Sequence, residues 1–175
     1  MSEIREALDV EVDRSIGIVS CATGMYLTGS KKRTANYLGF ATASEDNENG
    51  AKFLEFRFRP VGRGMSNWYV IESSSSDDKL YALSPTDVSM YQPSGISLDK
   101  NYYWVIEQVR DGEGLFSFES VEFGSYLSIN CELDELGPGL EKGDRSTNDN
   151  LLWKLNVFTS EDKSEENLSS SANED

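Results

Sequence analysis

Apolar and polar residues alternate with a period of two along several short stretches of this chain. In the stretch 54–59, the aromatic side chains of Phe56 and Phe58 alternate with the cationic side chains of Arg57 and Arg59. In a strand this spacing places the two rings on one face and the two arginines on the other. Aromatic and β-branched residues dominate such stretches, as strands prefer. The pattern predicts an all-β protein whose strands are buried on one face.

The same arrangement of residues occurs three times along the chain. Each copy has a short apolar run that ends in serine, a polar turn, an aromatic–aliphatic pair, a long polar stretch and a final aromatic strand. The aromatic residues that close the copies are Phe56, Trp104 and Trp153, at steps of 48 and 49 positions. This regular spacing indicates an internal three-fold repeat with a unit of about 50 residues.

The domain organisation follows from this repeat. A unit of this size cannot bury its apolar face alone, and three units that close on one another also remove exposed sheet edges. We therefore predict one domain over residues 15–158, preceded by an acidic arm over residues 1–14. Residues 159–175 are rich in Ser, Glu and Asn and contain no aromatic residue, which predicts an acidic disordered tail.

The three-fold pattern resembles the β-trefoil superfamily, in which three units form a six-stranded barrel capped by hairpins. The resemblance covers about residues 15–158. It implies that the closing aromatic residues and the members of the aromatic–aliphatic pairs form the structural core. The core residues predicted in this way are Phe56, Trp104, Trp153, Leu27, Tyr81, Tyr126 and Leu127.

The net charge of -15 argues against general binding of nucleic acids, which requires a basic surface. Residues 1–63 are electrically balanced, so the whole excess of acidic residues lies in residues 64–175. Such a dipolar surface suits steered encounter with a protein partner, although solubility alone is a simpler explanation. The basic residues that we consider as weak candidates for partner binding are Lys31, Lys32, Arg33, Arg57 and Arg59.

The sequence lacks the residues that most enzyme sites need. It contains no histidine, which excludes Ser-His-Asp and Cys-His arrangements and the commonest metal sites. Its two cysteines, Cys21 and Cys131, have no Cys-x-x-Cys spacing, and we expect them to be reduced thiols. The acidic run 45–50 would place Phe56 where a calcium loop needs a carboxylate. We therefore predict a non-enzymatic binding protein without metal or cofactor.

Two features of the chain bear on its location. No apolar run approaches the roughly 18–20 residues that a bilayer span requires. The first residues have neither the basic region nor the continuous apolar region of a secretory signal. We expect a monomer with no membrane insertion, made in the cytosol and either cytoplasmic or released without a leader.

One segment of the third repeat resembles the interleukin-1 cytokine family. It opens with Phe-Glu-Ser and continues through an aromatic turn to an aromatic–aliphatic pair and a small residue. This resemblance implies a cytokine-like ligand that binds a receptor ectodomain through surface loops. The turn carries Gly124 where that family usually has proline, and Ile129 replaces the usual threonine. The matching residues are Phe118, Glu119, Ser120, Tyr126, Leu127 and Ser128.

Other classes of β-trefoil remain open as alternatives. They are carbohydrate-binding trefoils, fascin-like actin-binding trefoils and protease-inhibitor trefoils, so glycan and actin are alternative partners. Ricin-type lectins carry a Gln-x-Trp signature in each repeat, but here Tyr102 and Leu151 stand two residues before the tryptophans. In each class the binding residues are expected in the long connections near 30–50, 84–98 and 131–150.

Overall fold

The structure is a computed structural model, and the following account concerns the residues that it describes. These are residues 15–29, 39–41, 54–62, 67–74, 76, 78–93, 95, 98–109, 114–130 and 137–157. The predicted arm, the predicted tail and the basic cluster at Lys31, Lys32 and Arg33 lie outside these ranges. Within them, no helix has the length and apolar character that a membrane span requires.

The described part of the chain forms twelve β-strands with short 3₁₀ helices at Lys100–Tyr102 and Asp149–Leu151. The strands are β1 Ile16–Ser20, β2 Tyr26–Thr28, β3 Gly39–Ala41, β4 Phe56–Pro60, β5 Trp68–Ser73, β6 Lys79–Ala82, β7 Val88–Tyr91, β8 Trp104–Val109, β9 Leu115–Ser120, β10 Tyr126–Asn130, β11 Gly137–Glu141 and β12 Trp153–Val157.

Six of these strands close a barrel. Antiparallel pairing runs from β1 to β4, β5, β8, β9 and β12, and β12 pairs again with β1. The other six strands form three hairpins, β2–β3, β6–β7 and β10–β11. A six-stranded barrel with three hairpins is the β-trefoil, so the fold predicted from the repeat is confirmed.

The closing aromatic residues lie inside the barrel. Phe56, Trp104 and Trp153 have no exposed surface. The indole N–H of Trp104 donates to the carbonyl of Leu80 at 3.1 Å, and that of Trp153 donates to the carbonyl of Leu127 at 3.0 Å. Each tryptophan therefore joins a barrel strand to the hairpin of its own repeat, and buries its only polar atom without loss of a hydrogen bond.

The aromatic–aliphatic pairs contribute one core residue each. The leucines Leu27, Leu80 and Leu127 are completely buried. Tyr81 and Tyr126, which the sequence placed in the core, are instead only half-buried. Neighbouring residues of a strand point to opposite faces, so a leucine that faces the core turns the adjacent tyrosine away from it.

The second strand of each hairpin lies where the sequence predicted a long irregular connection. Strands β3, β7 and β11 are only three to five residues long. Strand β11 contains Pro138, which a strand tolerates at the edge of a sheet, where β11 lies. An apolar residue of each second strand lies opposite the buried leucine of the first, and these residues are Phe40, Met90 and Leu140.

The turn between the first two strands of each repeat has the same backbone hydrogen bond. A buried serine donates its N–H to the carbonyl five residues later, at 2.8–2.9 Å, in all three repeats. The three bonds join Ser20 to Met25, Ser73 to Asp78 and Ser120 to Ser125. In the first and third repeats a glycine with positive φ precedes the acceptor, Gly24 at 72° and Gly124 at 66°.

Replacing Gly124 with alanine should lower the free energy of unfolding by about 1–2 kcal/mol, because a Cβ strains a left-handed backbone. A Cβ here would meet its nearest described neighbour, an Oε1 of Glu119, at 3.8 Å, so the cost is conformational rather than steric. Gly124→Asn should lose less, because asparagine tolerates this conformation. Urea unfolding measures both variants, and an asparagine as costly as the alanine would contradict the backbone explanation.

Candidate functional site

Two of the basic residues considered as partner-binding candidates belong to an internal ion group around Glu72. The Nε of Arg59 lies 2.7 Å from Oε2 of Glu72, and a guanidinium nitrogen of Arg57 lies 3.8 Å from Oε1. The Nζ of Lys79 is 4.0 Å from the same carboxylate. The Glu72 side chain is only 7% exposed. The two arginines of β4 thus contact the buried carboxylate of Glu72. Together with Lys79, this ion group links β4, β5 and β6.

A second polar cluster surrounds Arg145, which follows β11. Its Nη1 donates to Oε2 of Glu107 at 2.6 Å and to Oγ of Ser117 at 3.0 Å. Asn67 donates to the other oxygen of Glu107 at 3.2 Å. The guanidinium also lies over the ring of Tyr126, 5.9 Å from its centre. These contacts hold the segment after β11 against strands β8 and β9, so we interpret the cluster as structural.

A third cluster consists of three tyrosines of the second repeat, which we call the tyrosine platform. Tyr81 lies on β6, Tyr91 on β7 and Tyr102 in the 3₁₀ helix before β8. The ring centre of Tyr81 is 4.7 Å from that of Tyr102 and 5.2 Å from that of Tyr91, with an interplanar angle of 67° in both pairs. Tyr81 and Tyr91 are half-buried, so the platform is accessible from solvent.

Asp99 lies at one side of the tyrosine platform. It caps the 3₁₀ helix that carries Tyr102, because its Oδ1 accepts the N–H of Asn101 at 3.0 Å. The side-chain amide of Asn101 in turn donates to the carbonyl of Ala82 at 2.8 Å, which ties this helix to β6. These two bonds hold an exposed carboxylate beside the aromatic rings.

Glu122 lies in the third repeat, in a turn that contacts the segment after Tyr102. It is exposed in the turn after β9, where the N–H of Val121 donates to the carbonyl of Tyr103 at 3.0 Å. Burial raises the pKa of the Tyr81 hydroxyl, and the negative charge of Asp99 raises it further. Tyr91 and Glu122 make smaller contributions in the same direction. The Tyr81 hydroxyl therefore stays protonated to a higher pH than an ordinary tyrosine.

The other two repeats do not have a comparable platform at their described equivalent positions. The strand registers and the closing aromatic residues align the three repeats residue by residue. Because the fold forms there with other residue types, it does not require three tyrosines in the second repeat. The equivalents of Tyr81 are Thr28 and Ser128, those of Tyr91 are Ala41 and Glu141, and those of Tyr102 are Leu54 and Leu151.

Sequence reasoning did not identify this platform as a site. It assigned Tyr81 to the core and considered Tyr102 only as a departure from the lectin signature. The available signal was the difference between repeats, since only the second has tyrosine at all three aligned positions. That alignment depends on β7, which the sequence pattern did not predict as a strand.

No protein-family model matches this chain, and no curated protein matches it significantly. The chain is similar to the Polyporus squamosus lectin bound to a human-type influenza-binding epitope, with 16% identity, a TM-score of 0.62 and coverage of 82% of this chain and 49% of that chain. It is similar to SeviL bound to asialo-GM1 saccharide, with 15% identity, a TM-score of 0.63 and coverage of 83% and 98%. It is also similar to the Haemophilus ducreyi cytolethal distending toxin, with 15% identity, a TM-score of 0.65 and coverage of 83% and 84%. Identities this low establish the β-trefoil fold alone.

Proposed function

We propose that this chain is a non-enzymatic, carbohydrate-binding β-trefoil whose glycan site is the tyrosine platform. The observation that carries the proposal is the packed cluster of Tyr81, Tyr91 and Tyr102, with the exposed Asp99 capping the 3₁₀ helix that carries Tyr102. A sugar ring has an apolar C–H face and a rim of hydroxyl groups. Phenol rings accept the apolar face, phenol hydroxyls donate hydrogen bonds, and carboxylates accept them from sugar hydroxyls.

The similar solved structures support this proposal at the level of the scaffold. Two of them, the Polyporus squamosus lectin and SeviL, are bound to saccharides, so a β-trefoil of this size is a suitable carrier of a sugar site. The residues of the site differ from the Gln-x-Trp type, because the positions two residues before Trp104 and Trp153 hold the buried Tyr102 and Leu151. We therefore propose a different set of contacts, centred on the hairpin β6–β7.

The cytokine hypothesis has less support than the carbohydrate hypothesis. Four of the six residues that carry the resemblance to interleukin-1 are buried, and they are Phe118, Ser120, Leu127 and Ser128. Residues with this role are needed by any β-trefoil, and they offer no surface to a receptor. The candidate arginines Arg57 and Arg59 are engaged with Glu72.

Tyr81→Ala should weaken glycan binding at least about tenfold, because it removes the central ring of the platform. A glycan array identifies the ligand, and titration calorimetry then compares wild type with the variant. We expect one site per chain, since the second repeat alone has the three tyrosines. Tyr26→Ala is the matched control, because Tyr26 is a half-buried tyrosine on the first hairpin.

Several results would contradict the proposal. They are a failure of the wild-type chain to bind any glycan on the array, or equal binding by wild type and Tyr81→Ala. Co-sedimentation with F-actin and pull-down by immunoglobulin-like receptor ectodomains are run in parallel. Binding in either assay without glycan binding would replace the carbohydrate hypothesis by the corresponding alternative.

A further inference from the structure

Resting on the proposed function, we infer that the tyrosine platform selects saccharides that carry a protonated amino group. The faces of aromatic rings are the negative ends of a quadrupole and attract cations. Tyr81 and Tyr91 present such rings to solvent at the surface of the second repeat. A neutral sugar can only pack its apolar face on the rings. A sugar with an ammonium group can in addition be attracted to the negative faces of the rings.

The two carboxylates provide the second part of the argument. Asp99 and Glu122 are both exposed. Asp99 caps the 3₁₀ helix that carries Tyr102, and Glu122 follows Val121, whose N–H donates to the carbonyl of Tyr103. An ammonium group held over the rings lies within the field of both negative charges. The attraction between an exposed carboxylate and a cation is modest in water, and it increases when an aromatic surface excludes part of that water.

The nearest cation on the same sheet face does not cancel this charge. Lys79 shares a face with Tyr81, two residues along β6, and lies opposite Tyr91 in the register. Its side chain is only 19% exposed, and its Nζ lies 4.0 Å from the buried carboxylate of Glu72. The charge of Lys79 is therefore directed toward Glu72 rather than toward the solvent side of the platform.

The same charges disfavour acidic sugars. A carboxylate on the ligand would be placed beside Asp99 and Glu122 in a chain of net charge -15. Like charges brought together oppose binding and give specificity against the wrong ligand. The chain is thus expected to differ from the similar Polyporus squamosus lectin, which is bound to an epitope containing Neu5Ac.

The experiment compares three soluble probes by calorimetry at pH 6.5, at low and at high salt. They are fully acetylated chitotriose, chitotriose with one free amino group, and sialyl-lactosamine. The wild-type chain should bind the amino probe at least about fivefold more tightly than the acetylated probe, and this ratio should fall with salt. The double variant Asp99→Asn, Glu122→Gln should lose the ratio. Glu141→Gln, which removes an exposed carboxylate at the hairpin position equivalent to Tyr91, should keep it.

The outcomes separate the two proposals. If the acetylated probe binds as well as the amino probe and Tyr81→Ala abolishes both, the site is correct and the selection by charge is wrong. If the amino probe binds equally well to Tyr81→Ala, or loses as much affinity through Glu141→Gln, its attraction is non-specific and the inference fails. If neither these probes nor the glycan array shows any binding, the proposed function itself fails.

Discussion

Replacing Trp153 with alanine is expected to lower the free energy of unfolding by about 3–5 kcal/mol, the usual cost of removing a large aromatic side chain from a core. Trp153 has no exposed surface and packs edge-on against Phe118, with 6.5 Å between the ring centres. Its loss leaves a cavity at the barrel centre and also leaves the carbonyl of Leu127 without its indole donor. Unfolding in urea, followed by circular dichroism, measures the change.

Trp153→Phe separates the two contributions and remains testable if the alanine variant does not fold. Phe56 occupies the equivalent position of the first repeat and is equally buried. A phenyl ring is therefore compatible with this position of the repeat. We expect the phenylalanine variant to lose about 1–3 kcal/mol, largely because the buried carbonyl of Leu127 loses its partner. A Trp153→Ala variant as stable as wild type would contradict the assignment of Trp153 to the core.

Replacing Glu72 with glutamine is expected to lower the free energy of unfolding by about 2–4 kcal/mol, because removal of one partner from a buried ion group leaves uncompensated charge. Arg57, Arg59 and Lys79 would then lie around a neutral amide, where their charges repel one another. The three cations are 19–44% exposed, so solvent screens part of this repulsion and we place the loss below that of a fully buried pair. Chemical denaturation at two salt concentrations measures the effect.

Arg59→Ala is the matched control for Glu72→Gln. The Arg59 side chain is 44% exposed, so its removal should lower the free energy of unfolding by only about 0.2–1 kcal/mol. The difference between the two variants reflects where each group lies, since their contact at 2.7 Å is the same. A loss in Arg59→Ala as large as that in Glu72→Gln would contradict the central role of the carboxylate.

The barrel was predictable because the residues that form it repeat at nearly constant spacing. The spacing identified Phe56, Trp104 and Trp153, the resemblance to β-trefoils implied that they are core residues, and all three are completely buried. The tyrosines of the pairs were placed on the wrong face, since a two-residue pair does not specify which member faces inward. Leu27 and Leu127 face the core, and Tyr81 and Tyr126 are only half-buried on the other face.

The second strands of the hairpins were not predictable from the pattern. Strand β11 consists of Gly, Pro, Gly, Leu and Glu, a composition that predicts a loop. It becomes a strand because Leu140 packs into the core opposite Leu127, and the rest of the segment follows that register. A short strand of this kind forms because it pairs with a neighbouring strand, and its own residues have little preference for the strand conformation.

The sequence by itself determined the all-β class, the three-fold repeat and the aromatic centre of the barrel. Those properties depend on local alternation and on a regular period, and both are present in the linear order of residues. Only the tertiary structure decided that Tyr81, Tyr91 and Tyr102 pack against one another. These residues come from three elements spread over positions 81 to 102, and the β6–β7 pairing and the bond from Asn101 to Ala82 bring them together. The platform does not follow the three-fold period, so the repeat alone does not reveal it, and its three tyrosines can be recognised only once the strand registers align the repeats.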